Sequence, residues 1–348
     1  MPSSSPAKLT LNDVARGCGV SRATASLVLR GSPLVHPDTR AKVEAEIRRI
    51  GYIYNRAAAN LRSRSSSSVA LVINDLSNPF FAEFATGVDA ALAAAGCVTL
   101  LGSTGESTQR QQAVLSSLIE HAPAGIILSP AEGSNGAAIA QAVGSHVPVL
   151  VFNRELDGEW DFLAMDNQRG AMLATQHLVT LGHRRIAFFG GHRDSSSCRE
   201  RHQGYLAALA AAGIEANPRW HIDTAPTRLE AAHQCGDLFA SDPSPTAAVC
   251  YNDAVALGLQ LGLLARGIRP GSDFAVVGFD DIPEASVSMP PLSTIATEPR
   301  ERGRQAAERI LARMRNPDAP IERRTAPVHL VVRESSGTPI SPTGRPSA

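Results

Sequence analysis

Residues Leu9 to Gly31 read LTLNDVARGCGVSRATASLVLRG, and the spacing of the small and apolar residues in this stretch decides how the start of the chain folds. Asn12 can cap a first helix running to about Arg16–Cys18, Gly19 breaks it, and Ser21 can cap a second helix to about Leu29. Val14, Ala15, Cys18, Val20, Ala25 and Val28 then fall where two helices crossing near a right angle need them. Ala15 is small enough to admit the second helix, Gly19 makes the tight turn, and the others fill the wedge between the helices. A third helix is expected from about Asp38 to Ile50, with Val43, Ile47 and Ile50 on one face and Gly51 just beyond. The spacing thus predicts an all-α helix-turn-helix head over residues 9–55, preceded by a disordered Ser/Pro-rich start over residues 1–8.

Charge supports a distinct head. The chain balances 33 Lys+Arg against 33 Asp+Glu, but residues 1–64 hold eleven and four, a net of +7. The other 284 residues hold 22 and 29, a net of −7. A basic head on an acidic body implies a polyanionic partner for the head alone.

Composition excludes several other classes. No run of eighteen apolar residues occurs, so no membrane partner is expected. Met1–Lys8 lacks the apolar stretch of a secretory signal, and Cys18, Cys97, Cys198, Cys235 and Cys250 are scattered without a CxxC pair. Reduced thiols in a cytoplasmic protein are expected, with neither disulfides nor a zinc site. The only lysines, Lys8 and Lys42, are followed by Leu and Val, so there is no GK[ST] phosphate loop, and no GxSxG or HExxH appears. No enzymatic activity and no cofactor are expected. His183 in LGHRR reads as a cation closing a helix at its carboxyl end.

From Val69 onward, β-rich runs alternate with helical segments. The strands are expected at Val69–Ile73, Val98–Leu101, Gly125–Leu128, Val147–Phe152, Ile186–Phe189, Ala247–Cys250 and Phe274–Phe279. Helices are expected at Phe81–Ala95, Gln168–Leu181, Arg199–Ala212 and Asp253–Arg266, stopped by Gly96, Gly182, Gly213 and Gly267. Such alternation predicts an α/β body of doubly wound parallel sheets, too long for one lobe, with a break near Met165–Gln168. Ligands of open α/β sheets sit beyond the carboxyl ends of the strands. The polar groups there are Asn74 to Asn78, Asn153-Arg154-Glu155, Gly190 to Arg201, Tyr251-Asn252-Asp253 and Asp280-Asp281. Asn, Asp and Arg can exchange hydrogen bonds with vicinal hydroxyls, and Phe80 or Phe81 can cover an apolar sugar face, which favours a sugar or sugar derivative over a purine. For Asp253 alone, a helix cap is the simpler reading.

LTLNDVARGCGVSRATASLVLRG (residues 9–31), HPDTRAKVEAEIRRIGYIYNRAAANLRS (36–63) and VALVINDLSNPFFAEF (69–84) resemble the LacI/galactose-repressor family of bacterial transcription regulators. The likeness runs from about Leu9 to Val332. NDLSNPFFAE, SSSCRERHQGY and AAVCYND look most like its maltose-regulon repressor subgroup. The resemblance implies sequence-specific binding of double-stranded operator DNA by a homodimer under control of a small, sugar-like effector. The second helix would enter the major groove, with readout positions at Arg22, Ala23 and Leu27 and with Thr24 and Ser26 on its exposed turns. Leu27 departs from the polar residue common there. Thr10, Ser21, Thr24, Thr39 and Asn55 suit phosphate contacts, which set register without reading sequence. Residues 56–68 would form a hinge helix and linker. The six residues from Arg56 to Leu61 are too few to be helical alone, so they would fold on DNA, with Leu61 as a minor-groove wedge. A flexible Ser-rich linker is the alternative.

The resemblance further implies two periplasmic-binding-protein-like lobes over residues 69–334. Lobe 1 would span about 69–164 and 295–326, and lobe 2 about 165–294 and 327–334. Crossovers would lie near Met165, Thr294 and the approach to Val328, before a flexible tail at 335–348. Matched by motif, the effector contacts would be Ser77, Asn78, Phe80, Asn153, Ser197, Arg201, Asn252, Asp280 and Thr297. The tail lacks leucine heptads for a tetramer-forming bundle, so a dimer is expected. The alternatives are a sugar-binding receptor or a two-lobed enzyme without DNA function.

Overall fold

The computed structural model describes residues 9–29, 32–52, 67–144 and 146–338. It divides into two compact units, Met1–Ser66 and Ser67–Ala348.

In the first unit, helices α1 (Leu11–Cys18), α2 (Arg22–Leu29) and α3 (Pro37–Ile50) enclose Val14, Ala15, Ala25, Val28, Val35 and Val43. Cys18, Val20, Leu27, Ile47 and Ile50 pack around this centre. Gly19 and Gly51 close α1 and α3 at φ 67° and 68°, the left-handed region that glycine enters without penalty. The cap of α1 is Thr10, where Asn12 was expected. The Thr10 N–H and hydroxyl both donate to the Asp13 carboxylate, at 2.9 and 2.7 Å, so the helix starts before Asn12 can cap it. Ser21 caps α2, its hydroxyl accepting the Thr24 N–H at 3.0 Å.

The second unit holds two six-stranded sheets. The first contains β1 (Ser68–Ile73), β2 (Val98–Ser103), β3 (Gly125–Leu128), β4 (Val149–Phe152), β5 (Asp161–Met165) and β11 (Arg323–Ala326). All are parallel, in the order β11-β5-β4-β3-β1-β2. The second contains β6 (Ile186–Phe189), β7 (His221–Ile222), β8 (Ala247–Cys250), β9 (Ala275–Asp280), β10 (Ser293–Ala296) and β12 (His329–Val331). Its order is β12-β10-β9-β8-β6-β7, parallel except for β12, which runs antiparallel to β10. The chain changes sheets after Met165, after Ala296 and after Ala326. Met165 pairs with Ala326 in the first sheet, and Ile295 pairs with Phe279 in the second.

Helices α4 (Pro79–Ala94), α5 (Thr108–Glu120), α6 (Gly136–Val143), α7 (Asn167–Thr180), α8 (Ser196–Ala211), α9 (Arg228–Gln234), α10 (Asp253–Ala265), α11 (Pro283–Val287) and α12 (Pro299–Arg315) connect the strands. Many open on a polar cap: Asn78, Ser107, Asn135, Asp166, Ser195, Thr227 and Asn252 each accept a backbone N–H. The cap of α10 is thus Asn252 and not Asp253, which lies buried one residue inside. No helix among the described residues is long and apolar enough to cross a membrane.

Lobe 1 is closed on one face by α4 against α12, although these helices lie more than two hundred residues apart in sequence. Their crossing depends on absent side chains. A Cβ on Gly87 would lie 1.9 Å from the Arg300 carbonyl oxygen, and one on Gly303 would lie 2.1 Å from that of Phe84. Both obstacles are backbone, which cannot swing aside. Gly303→Ala should therefore lower unfolding free energy by about 1–3 kcal/mol, the usual cost of overpacking. A urea midpoint equal to that of the unsubstituted protein would contradict this crossing geometry.

Candidate functional site

On the head, Arg22 and Ala23 are exposed on the first turn of α2, and Thr24, Ser26 and Leu27 are half-buried. Leu27 packs against the head core, so only part of it faces outward. The Ser21 and Thr24 hydroxyls lie 2.9 Å apart and hydrogen-bond one another. The Thr10 hydroxyl is engaged with Asp13, and Thr39 is half-buried in the first turn of α3. Asn55 and Leu61 lie outside the described residues.

In the body, parallel pairing brings strand ends together. The residue directly after each of four adjacent strands in lobe 1 is polar: Asn74 after β1, Thr104 after β2, Ser129 after β3 and Asn153 after β4. Asn74 Oδ1, Thr104 Oγ1, Ser129 Oγ and Asn153 Oδ1 are all buried without a hydrogen-bond partner, as is Arg154 Nε. Buried polar atoms are normally paired with protein or water, so five such atoms gathered on one sheet edge single out this edge as the candidate site. Asn153 sits at φ 69°, a left-handed conformation that asparagine tolerates better than most residues. Arg154 is buried and clamped by Glu106 through two bonds of 2.6 and 2.7 Å. Glu106 also accepts from Asn74 Nδ2 at 3.1 Å. Although burial works against ionisation of both partners, the contacts hold Glu106 below the ordinary carboxylate range and Arg154 above its usual value.

Lobe 2 carries a second polar cluster. Arg201 is buried on α8, with Nε donating to Asn167 Oδ1 at 2.9 Å and Nη1 to the Tyr251 carbonyl at 2.5 Å. Its guanidinium lies 3.7 Å over the Phe279 ring, and Nη2 is 3.8 Å from Asp280 Oδ1. Ser197 and Tyr251 hydroxyls are 2.8 Å apart. Thr297 donates to the Asp280 carbonyl at 3.1 Å. Burial pushes the Asp280 carboxyl up to about 8, Arg201 opposing and Asp253 adding to the rise. The two lobes touch at Glu132 of lobe 1, which accepts the Ser196 N–H at 2.9 Å on α8 of lobe 2.

Several expectations need revision. Phe80 and Phe81 are both buried, and Phe80 stacks on Phe152 at 6.2 Å, so they belong to the lobe 1 core rather than to an open ligand face. Ser77 is exposed, with its hydroxyl donating to Asp75 at 2.7 Å, and Asn78 and Asn252 spend their carbonyl oxygens as helix caps. His183 is no helix-closing cation. It is buried, its Nδ1 2.9 Å from Thr246 Oγ1, and burial pushes its pKa down to about 4, so it is neutral.

Two sequence profiles match the chain: "Bacterial regulatory proteins, lacI family" over residues 10–55 and "Periplasmic binding protein-like domain" over residues 175–336. The chain is 31% identical over 335 residues to the maltose regulon regulatory protein MalI of Escherichia coli K12, covering 93% of this chain and 98% of that protein. The chain belongs to the lacI family of bacterial regulatory proteins. This lacI-family chain is also 32% identical to the transcriptional regulator GalR of Escherichia coli K12, over 95% of its own length and 96% of that protein. Among solved structures it is similar to the lac repressor dimer bound to operator and the anti-inducer ONPF, with a TM-score of 0.82, 26% identity and coverage of 95% and 99% of the two chains. It is similar also to the regulator CelR in complex with cellobiose, with a TM-score of 0.69, 30% identity and coverage of 94% and 99%. This lacI-family chain is a DNA-binding transcriptional regulator, and several of its relatives are named as repressors.

Asn74, Thr104, Glu106, Ser129, Glu132, Arg154 and Tyr251 join these polar clusters at the strand ends. The rule that places ligands after strand ends points at the residues following β2 and β3, but those strand ends do not stand out in sequence. Glu106 and Glu132 sit in loops, 48 and 64 residues from the partners they bind.

Asp280 yields a test. Above the ordinary carboxylate value of 3.8 the unfolded chain has lost this proton, whereas the folded protein keeps it up to about 8. Its contribution to stability therefore becomes more unfavourable as pH rises through that window. Asp280→Asn should raise the thermal midpoint relative to the parent at the upper end of the window, with the gain shrinking toward the lower end. A difference that does not vary with pH would show that burial does not hold the proton.

Proposed function

We propose that the protein is a cytoplasmic homodimeric repressor, without enzymatic activity, whose grip on operator DNA is set by an uncatalysed sugar-like effector held between the lobes. Each head reads one half-site of a near-palindromic operator. Arg22 pairs with guanine O6 and N7, Ala23 and the outward part of Leu27 offer apolar contact, and Ser26 lies beside them. Thr10, Ser21, Thr24, Thr39 and Asn55 hold phosphates, and Leu61 wedges into the minor groove. In the cleft, Asn153, Ser197, Arg201, Asp280 and Thr297 contact the effector, with Ser77, Asn78 and Asn252 shaping its edges. Effector changes lobe closure and with it the spacing of the hinges.

The observation that carries this reading is the row of unpartnered buried polar atoms after β1 to β4 of one lobe, beside the Glu132–Ser196 contact with the other. Relatives support a sugar: one is named for the ribose operon, and one similar structure holds cellobiose. Dimerisation is supported by exposed Val98 and Leu101 on the edge strand β2, and by Leu261, Leu264, Val287 and Met289 on lobe 2. The free thiols of Cys18, Cys97, Cys198, Cys235 and Cys250 suit a reducing compartment.

The test is operator selection from random DNA followed by titration at several salt concentrations. Affinity should fall by about 10³ or more between roughly 50 and 200 mM salt. Arg22→Ala should cost about 1–3 kcal/mol and relax preference at one base pair per half-site. A flat salt response, or an Arg22→Ala loss equal on all sequences, would contradict the assignment.

A further inference from the structure

Much of the positive charge beside the strand ends is already met by carboxylates of the protein itself. At the N-terminus of α8, where an anion would be bound by exposed N–H groups, the carboxylate of Glu132 from the opposite lobe has taken the place. Its Oε2 accepts the Ser196 N–H at 2.9 Å and the Ser196 hydroxyl at 3.3 Å, and it lies 4.0 Å from Arg154 Nε. Its other oxygen lies 3.8 Å from Arg199 Nη2. Glu106 holds both terminal nitrogens of Arg154 in a bidentate pair. Arg201 gives Nε to Asn167 and Nη1 to the Tyr251 carbonyl, its face is covered by Phe279, and Nη2 looks toward Asp280. Arg154, Arg199 and the helix terminus are thus matched by Glu106 and Glu132, whereas Arg201 Nη2, 3.8 Å from Asp280, is a cationic donor that no carboxylate here takes up.

The unsatisfied groups have the opposite demand. Asn74 Oδ1 and Asn153 Oδ1 can only accept hydrogen bonds, and the Thr104 and Ser129 hydroxyls can accept as well as donate. Arg154 Nε is the one dedicated donor among them. A phosphate or carboxylate at neutral pH offers acceptors, so it would leave the asparagine oxygens unpaired and meet Glu106 and Glu132 as like charges. A ligand hydroxyl donates and accepts, and so satisfies both kinds of group.

We propose that the cleft selects an uncharged, hydroxyl-rich ligand and rejects phosphorylated or carboxylated sugars, with Glu132 as the residue that enforces the exclusion. The proposal rests on the cleft being the effector site and narrows that reading to one charge class.

The full chain is titrated calorimetrically with glucose, galactose, ribose, maltose and cellobiose, and in parallel with glucose 6-phosphate, ribose 5-phosphate, gluconate and inorganic phosphate. At least one neutral sugar should bind, and every phosphorylated or carboxylated sugar of the panel should bind at least about tenfold more weakly than it, the scale set by unpaired buried acceptors. Arg201→Ala should abolish the neutral sugar's binding, which locates it in the cleft. Glu132→Gln should shrink the ratio between neutral and charged forms. A charged sugar binding as tightly as its neutral form, through Arg201, overturns the charge-class proposal and leaves the effector-cleft reading standing. Binding that Arg201→Ala does not disturb, or no binding by any member of the panel, contradicts the effector-cleft reading as well.

Discussion

Parallel strands all finish on the same edge of a sheet, and in this body that constraint gathers the chemistry. A residue placed directly after a strand must arrive beside the residue that follows the neighbouring strand, however far apart the two lie in sequence. Asn74, Thr104, Ser129 and Asn153 come from four separate βα units and reach one edge only because β2, β1, β3 and β4 pair in parallel register. The second sheet repeats the arrangement with Tyr251 after β8 and Asp280 at the end of β9. Three sheet crossings keep the lobes as one body, and the Glu132–Ser196 contact joins them across the cleft.

Holding such a site costs stability. Buried acceptors without partners each forgo the hydration they had in the unfolded chain, at about 1–3 kcal/mol apiece. Asp280 adds a carboxyl that burial holds in its protonated form, next to an arginine committed elsewhere. These expenses are offset by apolar packing on the sheet faces, where Phe84 stacks on Phe152 at 3.9 Å and every residue of β3, β4, β6 and β8 is buried. Ligand that satisfies the strand-end groups favours whichever lobe arrangement presents them best, and that difference in affinity is the physical content of control at a distance.

The head was legible from spacing because its core is local. Val14, Ala15, Ala25 and Val28 are buried within one pair of short helices, and Gly19 turns where expected. Only the first cap was misplaced, since Asp13 could draw the helix start back to Thr10. In the body, strands with continuous apolar runs were legible within two residues at either end. The strand Asp161–Met165 was not, because it opens on an aspartate that reads as loop. In the fold, Asp161 is buried against Arg309 and Arg313 of α12, each 2.7 Å away and about 150 residues on in sequence. Strand β11, on the edge of its sheet, opens with exposed Arg323 and Arg324, and β7 has two residues only. In the cleft, Arg201 and Asp280 came from motif, and the structure brings them together. Phe80 went the other way: an aromatic after a strand was read as a ligand cover and instead completes the core. Glu106 and Glu132 were missed because their roles exist only through long-range pairs that no local spacing announces.

The central claim is that what fills the cleft governs the grip of the head on DNA. The direct measurement is operator affinity, for the parent and for Arg201→Ala, across a titration of the neutral sugar that binds the body. The parent's affinity should change by about 5- to 150-fold on saturation, while Arg201→Ala should keep its ligand-free affinity and show no change. An Arg201→Ala response matching the parent's, or a parent affinity indifferent to a sugar that demonstrably binds, would contradict the account.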